Sequence, residues 1–326
     1  MYPSSEGTHL YPYRHSAWHQ VGTSVTGHRG AMSALEAARL TGWNIRKLAQ
    51  IGVEETPDGP RRIGNPDQVM LARTDPRTGA TRYLSSVGVG YGVRQNEDQA
   101  ALLDALVAES GAGGFAHAGA IDEGRRTFVT MKLPDALSVA GLDPVELYLV
   151  VFNSHDGSAA FRVSLVPFRV LCANQLPMVI RDQVASVAIR HTRNATIDVA
   201  EIRSKLRLMY GYAEAFEQQA GRMIEAELST EEFREVVEVL WPVNDATAPP
   251  RTRFNADRRR HQLMRLWTDA GTQHNIRGTR WAGLQAITEY LDHYEPARDA
   301  NTRALRVLTG SGVLKRKQEA FDLLSV

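Results

Sequence analysis

Two groups of residues in this sequence have the types and spacing that catalysis needs. His155 and Asp156 stand side by side in the turn-like string Asn153-Ser154-His155-Asp156-Gly157-Ser158. An imidazole beside a carboxylate on an exposed turn can hold a metal ion or pass a proton. Glu289, Asp292 and His293 recur at i, i+3 and i+4, which on a helix sets two carboxylates and an imidazole on one face. The five together would suit a metal-dependent hydrolase or nuclease with a divalent metal as cofactor. The plainer reading gives Asp156-Gly157 to turn chemistry and Glu289 and His293 to an i,i+4 pair on a solvated helix face. On that reading the protein is non-catalytic and needs no cofactor. Whether a metal is bound stays open.

Other nucleophiles are less promising. No serine sits in a nucleophile elbow with histidine and aspartate in a triad order. The single cysteine, Cys172, ends an apolar strand, and nothing nearby in sequence would lower its pKa, so an inert buried thiol is expected. Trp18 beside His19 could stack on a base, but a tryptophan in an irregular segment more often pins that segment to a core.

The cations suggest a different chemistry. Of 38 basic residues only Lys47, Lys132, Lys205, Lys315 and Lys317 are lysines, and the rest are arginines, whose planar fork suits phosphate. Charge is also ordered in blocks. Residues 160–209 hold eight basic and three acidic groups, 213–245 hold two and nine, and 251–326 hold fourteen and eight. Such blocks suit binding an anion or pairing with copies of the same chain. Arg162, Arg169, Arg181, Arg190, His191 and Arg193 form one candidate phosphate-binding arc. Arg258, Arg259, Arg260, Arg277, Arg280, Lys315, Arg316 and Lys317 form a second set. With aromatic neighbours for stacking, spaced cations of this kind can track a nucleic-acid backbone. Solvated surface with salt bridges to the acidic block is the competing reading.

Composition narrows the class. The 326 residues are 43% hydrophobic and 23% charged with a net charge of +1, as in a soluble globular chain. The longest apolar stretch, Leu147 to Phe152, is of strand length, so no membrane partner is expected. One cysteine rules out an internal disulfide and thiolate-rich zinc sites, and a cytoplasmic location is the expectation.

The elements follow from periodicity. Ser33 to Leu40 reads as a short helix ended by Gly42, Trp43 to Val53 as a strand, and Val69 to Arg73 with Arg82 to Val87 as a hairpin. Asn96, followed by Glu97, Asp98 and Gln99, looks like a helix cap, with the helix stopping at Gly111. Gly88, Gly90 and Gly92 match no phosphate-loop fingerprint and read as a permissive turn. Thr127 to Leu133, Glu146 to Asn153 and Phe161 to Leu171 are three strands, the last two joined by the Asp-Gly hairpin. Arg162 and Arg169, an odd number of residues apart, fall on opposite faces unless Pro167 marks a bulge.

From Ile197 onward the pattern is helical. Ser229 with Glu232 opens one helix, Pro249-Pro250 reads as a linker, Asn255 caps the next helix, and Thr279 starts a helix striped by Trp281, Leu284, Ile287, Thr288 and Leu291. Ala300 to Leu308 and Lys315 to Leu324 complete the helices. The fold class is therefore α+β: an antiparallel sheet with helices on one face, spanning 1–185, and a mostly helical region, 186–326, packed on it.

Several longer strings resemble one family. These are Trp18-His19-Gln20-Val21-Gly22, Gly90-Tyr91 with Gln95-Asn96-Glu97, Asn153 to Ser158, Arg169-Val170-Leu171-Cys172-Ala173-Asn174, Arg190-His191-Thr192, and Gly278-Thr279-Arg280-Trp281 through Glu289-Tyr290-Leu291-Asp292-His293. Together they resemble the phage and plasmid family labelled domain of unknown function 932, with Gln175-Leu176 departing from an expected threonine-leucine pair. The resemblance implies a setting of mobile DNA in a bacterial host and no particular reaction. Three strands followed by a long helix are also similar to the core of phage single-strand annealing proteins, a likeness of fold alone. The expected role is a nucleic-acid-binding accessory of replication or recombination, oligomeric, with single-stranded DNA as partner. A protein-binding factor directed at host defences is a further alternative.

Overall fold

In the computed structural model, which describes residues 16–157, 161–180, 183–189, 199–244 and 246–325, the three alternating runs become the middle of a seven-stranded antiparallel sheet. These are β6 (Arg126–Val139), β7 (Asp143–Ser154) and β8 (Phe161–Arg169), flanked by β1 (Thr23–Ser24), β5 (His117–Ile121), β9 (Asn174–Gln175) and β10 (Ser186–Ile189). The order is β1-β5-β6-β7-β8-β10, with β9 also on β8. β7 and β8 pair without a register shift from Val145↔Arg169 to Phe152↔Arg162, so the Asp-Gly hairpin forms and Pro167 introduces no bulge. β10 carries the sheet past residue 185 into the half read as helical.

A second sheet of three strands joins β2 (Arg46–Thr56), β3 (Gly59–Thr74) and β4 (Thr81–Gly88) in that order. The expected hairpin is present, and β2 and β3 run well beyond it. β4 pairs with β3 only as far as Gln68, so the paired segments from Ile51 to Thr56 and Gly59 to Gly64 continue as a two-stranded arm.

The helices are α1 (Ala17–Val21), α2 (Ala31–Ala37), α3 (Ala100–Ser110), α4 (Val199–Glu225), α5 (Thr230–Leu240), α6 (Pro250–Thr268), α7 (Arg280–Glu289), α8 (Ala300–Thr309) and α9 (Ser311–Leu324). One hydrophobic cluster joins Val129, Met131, Leu149, Val151, Val163 and Leu165 of the sheet to Leu103, Phe216, Leu263, Trp281 and Phe321 of the helices. The opposite sheet face is covered too. Trp18 of α1 and Val307 and Leu308 of α8 pack there on Phe128, Tyr148, Val150, Val166 and Phe168. Burial on both faces explains why Leu147 to Phe152 is apolar without alternation.

Local signals at helix ends hold in part. Ser229 and Glu232 form a complete capping box, Thr279 accepts from the Ala282 N–H, and Gly111 ends α3 with φ of 71°. Three expectations need correction. Asn96 is itself helical, and its side chain points inward rather than capping α3. Pro249-Pro250 is the start of α6, with proline at the first helical position, where a missing N–H does no harm. Asn255 consequently lies inside that helix.

Trp18 is the expected anchor, its ring 5.3 Å from Tyr148 and 5.5 Å from Phe168. The close approach of α1 to β5 depends on two glycines: a Cβ on Gly119 would stand 2.8 Å from the Gly22 Cα, and one on Gly22 would stand 3.2 Å from the Ala118 carbonyl oxygen. The same contact sets the His19 ring against that of His117, centroids 3.9 Å apart and the planes tilted by 58°. Burial, with His19 adding to it, lowers the His117 pKa to about 4. The unfolded chain then binds a proton that the folded chain refuses between roughly pH 6.5 and 4, so stability falls as pH drops through that window. His117→Gln should flatten this dependence by about 1–3 kcal/mol in urea melts at pH 7 and 4.5. Identical slopes in both proteins would show that His117 does not carry it.

Candidate nucleic-acid interface

The proposed cations separate into three groups. Arg181, Arg190, His191 and Arg193 lie outside the described residues. A second group is buried or committed within the chain, a third converges on one aromatic ring, and Arg162 stands apart from all three.

Arg169 and Lys317 are the clearest corrections, because neither reaches solvent. The Arg169 Nε donates to Asp143 Oδ2 at 2.7 Å, and both side chains are 0% exposed. Burial opposes the Arg169 charge, and Cys172 and Asp143 outweigh it, so its pKa is raised. Asp143 also accepts from Trp281 Nε1 at 2.7 Å and from Asn275 Nδ2 at 3.1 Å. Lys317 donates to the Gln175 carbonyl at 2.7 Å and pairs with Asp292 at 2.6 Å. A buried charge is stable only with such partners, and those partners occupy the N–H groups a phosphate would need. Arg162 is exposed at the other end of β8, on the face opposite Arg169. Arg277 donates to the Ala270 carbonyl, Arg260 pairs with Glu238 and Asp257, and Arg280, half-buried at the start of α7, faces Glu232. The proposed arc is therefore not continuous among the described residues.

The five residues proposed for hydrolysis are divided as well. His155 and Asp156 follow the C-terminal end of β7, whereas Glu289 ends α7, the helix whose Trp281 bonds Asp143 at the other end of β7, and Asp292 and His293 lie in the turn after it, with Asp292 on Gln175 of β9. β7 has 12 residues, so its ends stand roughly 35 Å apart at ~3.3 Å per residue. His155 is buried, with Nε2 2.8 Å from Asn96 Oδ1 and its ring 5.9 Å from Trp43, and Asn96 donates on to the Leu40 carbonyl at 2.8 Å. Asp156 accepts from Ser154 and lies 3.8 Å from Arg126. These contacts lock the second sheet and the α2 region to the β7–β8 turn. Glu289 is buried and accepts from Thr272 at 2.7 Å, Asp292 accepts from the Gln175 N–H at 3.0 Å, and His293 is half-buried. They form no solvated face. Among the described residues no three histidine, cysteine, aspartate or glutamate side chains converge as a metal site. Cys172 is the inert thiol expected: burial, against the pull of Arg169, pushes its pKa up to about 12.

What does converge lies where α5, α6 and α9 meet a π-helical turn, Tyr290–Tyr294. α5 ends at Trp241, whose indole carries the Arg259 guanidinium at 5.4 Å and the Arg316 guanidinium at 5.0 Å. Tyr290 meets the same indole edge-on at 5.8 Å. One member of each basic triplet read from the sequence, 258–260 and 315–317, is thus brought onto a residue the sequence reading did not single out. Arg259 is half-buried, and its pKa is lowered by burial first and by Arg316 and Arg260 after it. The Arg259 Nε and Arg316 Nη1 have no hydrogen-bond partner among the described residues. Arg316 also lies 3.5 Å from Glu319, and Lys315 3.6 Å from the same residue. Arg258 stands one position along, exposed, over the Phe254 ring at 5.9 Å. Cation–π attraction holds both guanidiniums against the one ring, and an arriving anion would relieve the repulsion between them.

The signal that could have found Trp241 is positional. A tryptophan just before Pro242, where the amphipathic α5 must end, caps the bundle at its surface.

No helix among the described residues is long and apolar enough to cross a membrane. A family model described as "Domain of unknown function (DUF932)" matches residues 83–309. No curated protein and no solved structure matches the chain.

Proposed function

We propose, for a chain that belongs to the family described as domain of unknown function 932, a non-catalytic role in binding single-stranded nucleic acid during phage or plasmid replication or recombination. The observation that supports this reading is the cluster of Arg259 and Arg316 on Trp241, with Arg258 beside it. Guanidinium edges take phosphate oxygens, and guanidinium planes accept stacked bases, so the cluster can follow a flexible strand without reading its sequence. Trp241 acts as a positioning residue: it aligns two like charges that would otherwise separate. The hydrolytic alternative draws no support from the site, since its residues stand at opposite ends of β7.

The test is a titration of a labelled oligothymidylate and of duplex DNA with the full chain, followed by fluorescence anisotropy. About three phosphate contacts predict that single-strand affinity falls roughly 10–20-fold between 50 and 200 mM salt. Trp241→Ala and the double variant Arg259→Ala/Arg316→Ala should each weaken binding about 10–100-fold. Arg162→Ala, at the far end of β8, should leave it within about twofold. Absence of binding at low salt, or equal losses in all three variants, defeats the reading.

A further inference from the structure

We propose that the outer edge of β2 pairs with the same edge of a second copy of this chain, antiparallel and centred on Ile51, so that the arm of each copy lies along residues 46–50 of the other. The inference does not depend on nucleic-acid binding. It begins with the arm itself. Beyond Gln68 the ribbon of β2 and β3 has no third strand among the described residues, and its side chains are exposed on both faces, with Ile51 at 49%, Val53 at 59% and Ile63 at 52%. A two-stranded hairpin is at best marginally stable in water, and a long apolar edge is a template for further pairing.

The two edges of the arm differ in a way that selects one of them. The β3 edge carries Pro60 and Pro66, and its ladder with β2 is interrupted where residues 65–68 stand against Gln50. Proline has no N–H to donate, and irregular pairing twists an edge away from partners. β2 contains no proline from Arg46 to Thr56, it is the terminal strand of its sheet, and no described strand pairs with its outer side.

The sequence of β2 is complementary to itself. Twofold symmetry in an antiparallel pair requires one residue to face its own copy. With Ile51 at the axis, Lys47 faces Glu55 of the other copy, Ala49 faces Val53, and Ile51 faces Ile51, each charged and mixed pair occurring twice. Directly opposed residues share a face, so one face reads charge, apolar, apolar, apolar, opposite charge. The Lys47 ammonium donates to the Val89 carbonyl within the chain and has two further N–H groups to offer. Residues 50–68 hold Glu54, Glu55, Asp58 and Asp67 against Arg61 and Arg62. That acidic excess disfavours a phosphate backbone as the occupant and favours a strand with a matched basic end, which β2 itself supplies.

Light scattering and sedimentation of the full chain without nucleic acid test the proposal. The unmodified chain should dimerise at about 100 µM, as a dissociation constant in the micromolar range requires. Lys47→Glu and Glu55→Lys each set like charges opposite one another at both ends of the ladder and should weaken dimerisation about 10-fold or more. Mixing the two variants should restore association as a heterodimer, because each then meets its complement. A monomer at that concentration, a dimer indifferent to both substitutions, or variants that fail to recombine on mixing would each overturn it. Circular dichroism of the single variants separates a lost interface from a lost fold.

Discussion

Alanine at position 143 is expected to cost the folded chain about 3–5 kcal/mol, enough to leave much of the protein insoluble on expression. The reason is the number of groups that Asp143 serves. It neutralises Arg169 in a site where both side chains are 0% exposed, and it accepts from the Trp281 indole and the Asn275 amide. Its removal strands a guanidinium without water and orphans an indole N–H at once. Asparagine keeps the shape and one acceptor but not the charge, so Asp143→Asn should recover only part of the loss. Replacing the pair together, Asp143→Leu with Arg169→Met, should be milder than Asp143→Ala alone, because no uncompensated charge remains. Denaturant melts of the three variants check the order, and a double variant less stable than the alanine variant would refute the account.

The second large effect concerns Lys317. Lys317→Met leaves Asp292 with the Gln175 N–H but without its cation, in a place 4% exposed. A loss of about 3–5 kcal/mol is expected at pH 7. Asp292→Asn in the same chain should recover part of the loss, because no stranded charge then remains. Urea melts of the two proteins check this. A double variant no more stable than Lys317→Met would mean that the lost packing of the lysine stem, not the stranded charge, sets the loss.

Much of the fold was legible because it is local. The Asp-Gly turn sets the β7–β8 register, and the spacing of Ser229 and Glu232 is enough to specify a capping box. Asn96 shows where local reading stops. Asn-Glu-Asp-Gln fits a helix start, but a bond to His155, 59 residues away, and one to the Leu40 carbonyl claim the side chain instead. The arginines show the same limit. Arg162 and Arg169 share a strand, and parity does place them on opposite faces, yet nothing local says which of the two side chains reaches solvent. That depends on Asp143 and Trp281, far off in sequence. Glu289 and Asp292 mislead for a related reason: a buried helix and the buried turn that follows it carry polar groups inward only where distant partners meet them, as Thr272 meets Glu289 and Lys317 meets Asp292. Of the site, the basic triplets were visible, while the ring that gathers them was not.

The reach of Asp143 also governs how the protein must be made. Its indole and amide partners come 138 and 132 residues later in the chain. During synthesis β7 and β8 leave the ribosome well before Trp281 exists, and for that interval the Arg169–Asp143 pair has no roof. The nascent sheet therefore waits, half-covered, for the last helices to emerge, and a fragment ending at residue 185 would be arrested at that stage. Such a chain has one cooperative unit from a late start, and its vulnerability to proteases and to aggregation is concentrated in the seconds before its C-terminal helices close over the sheet.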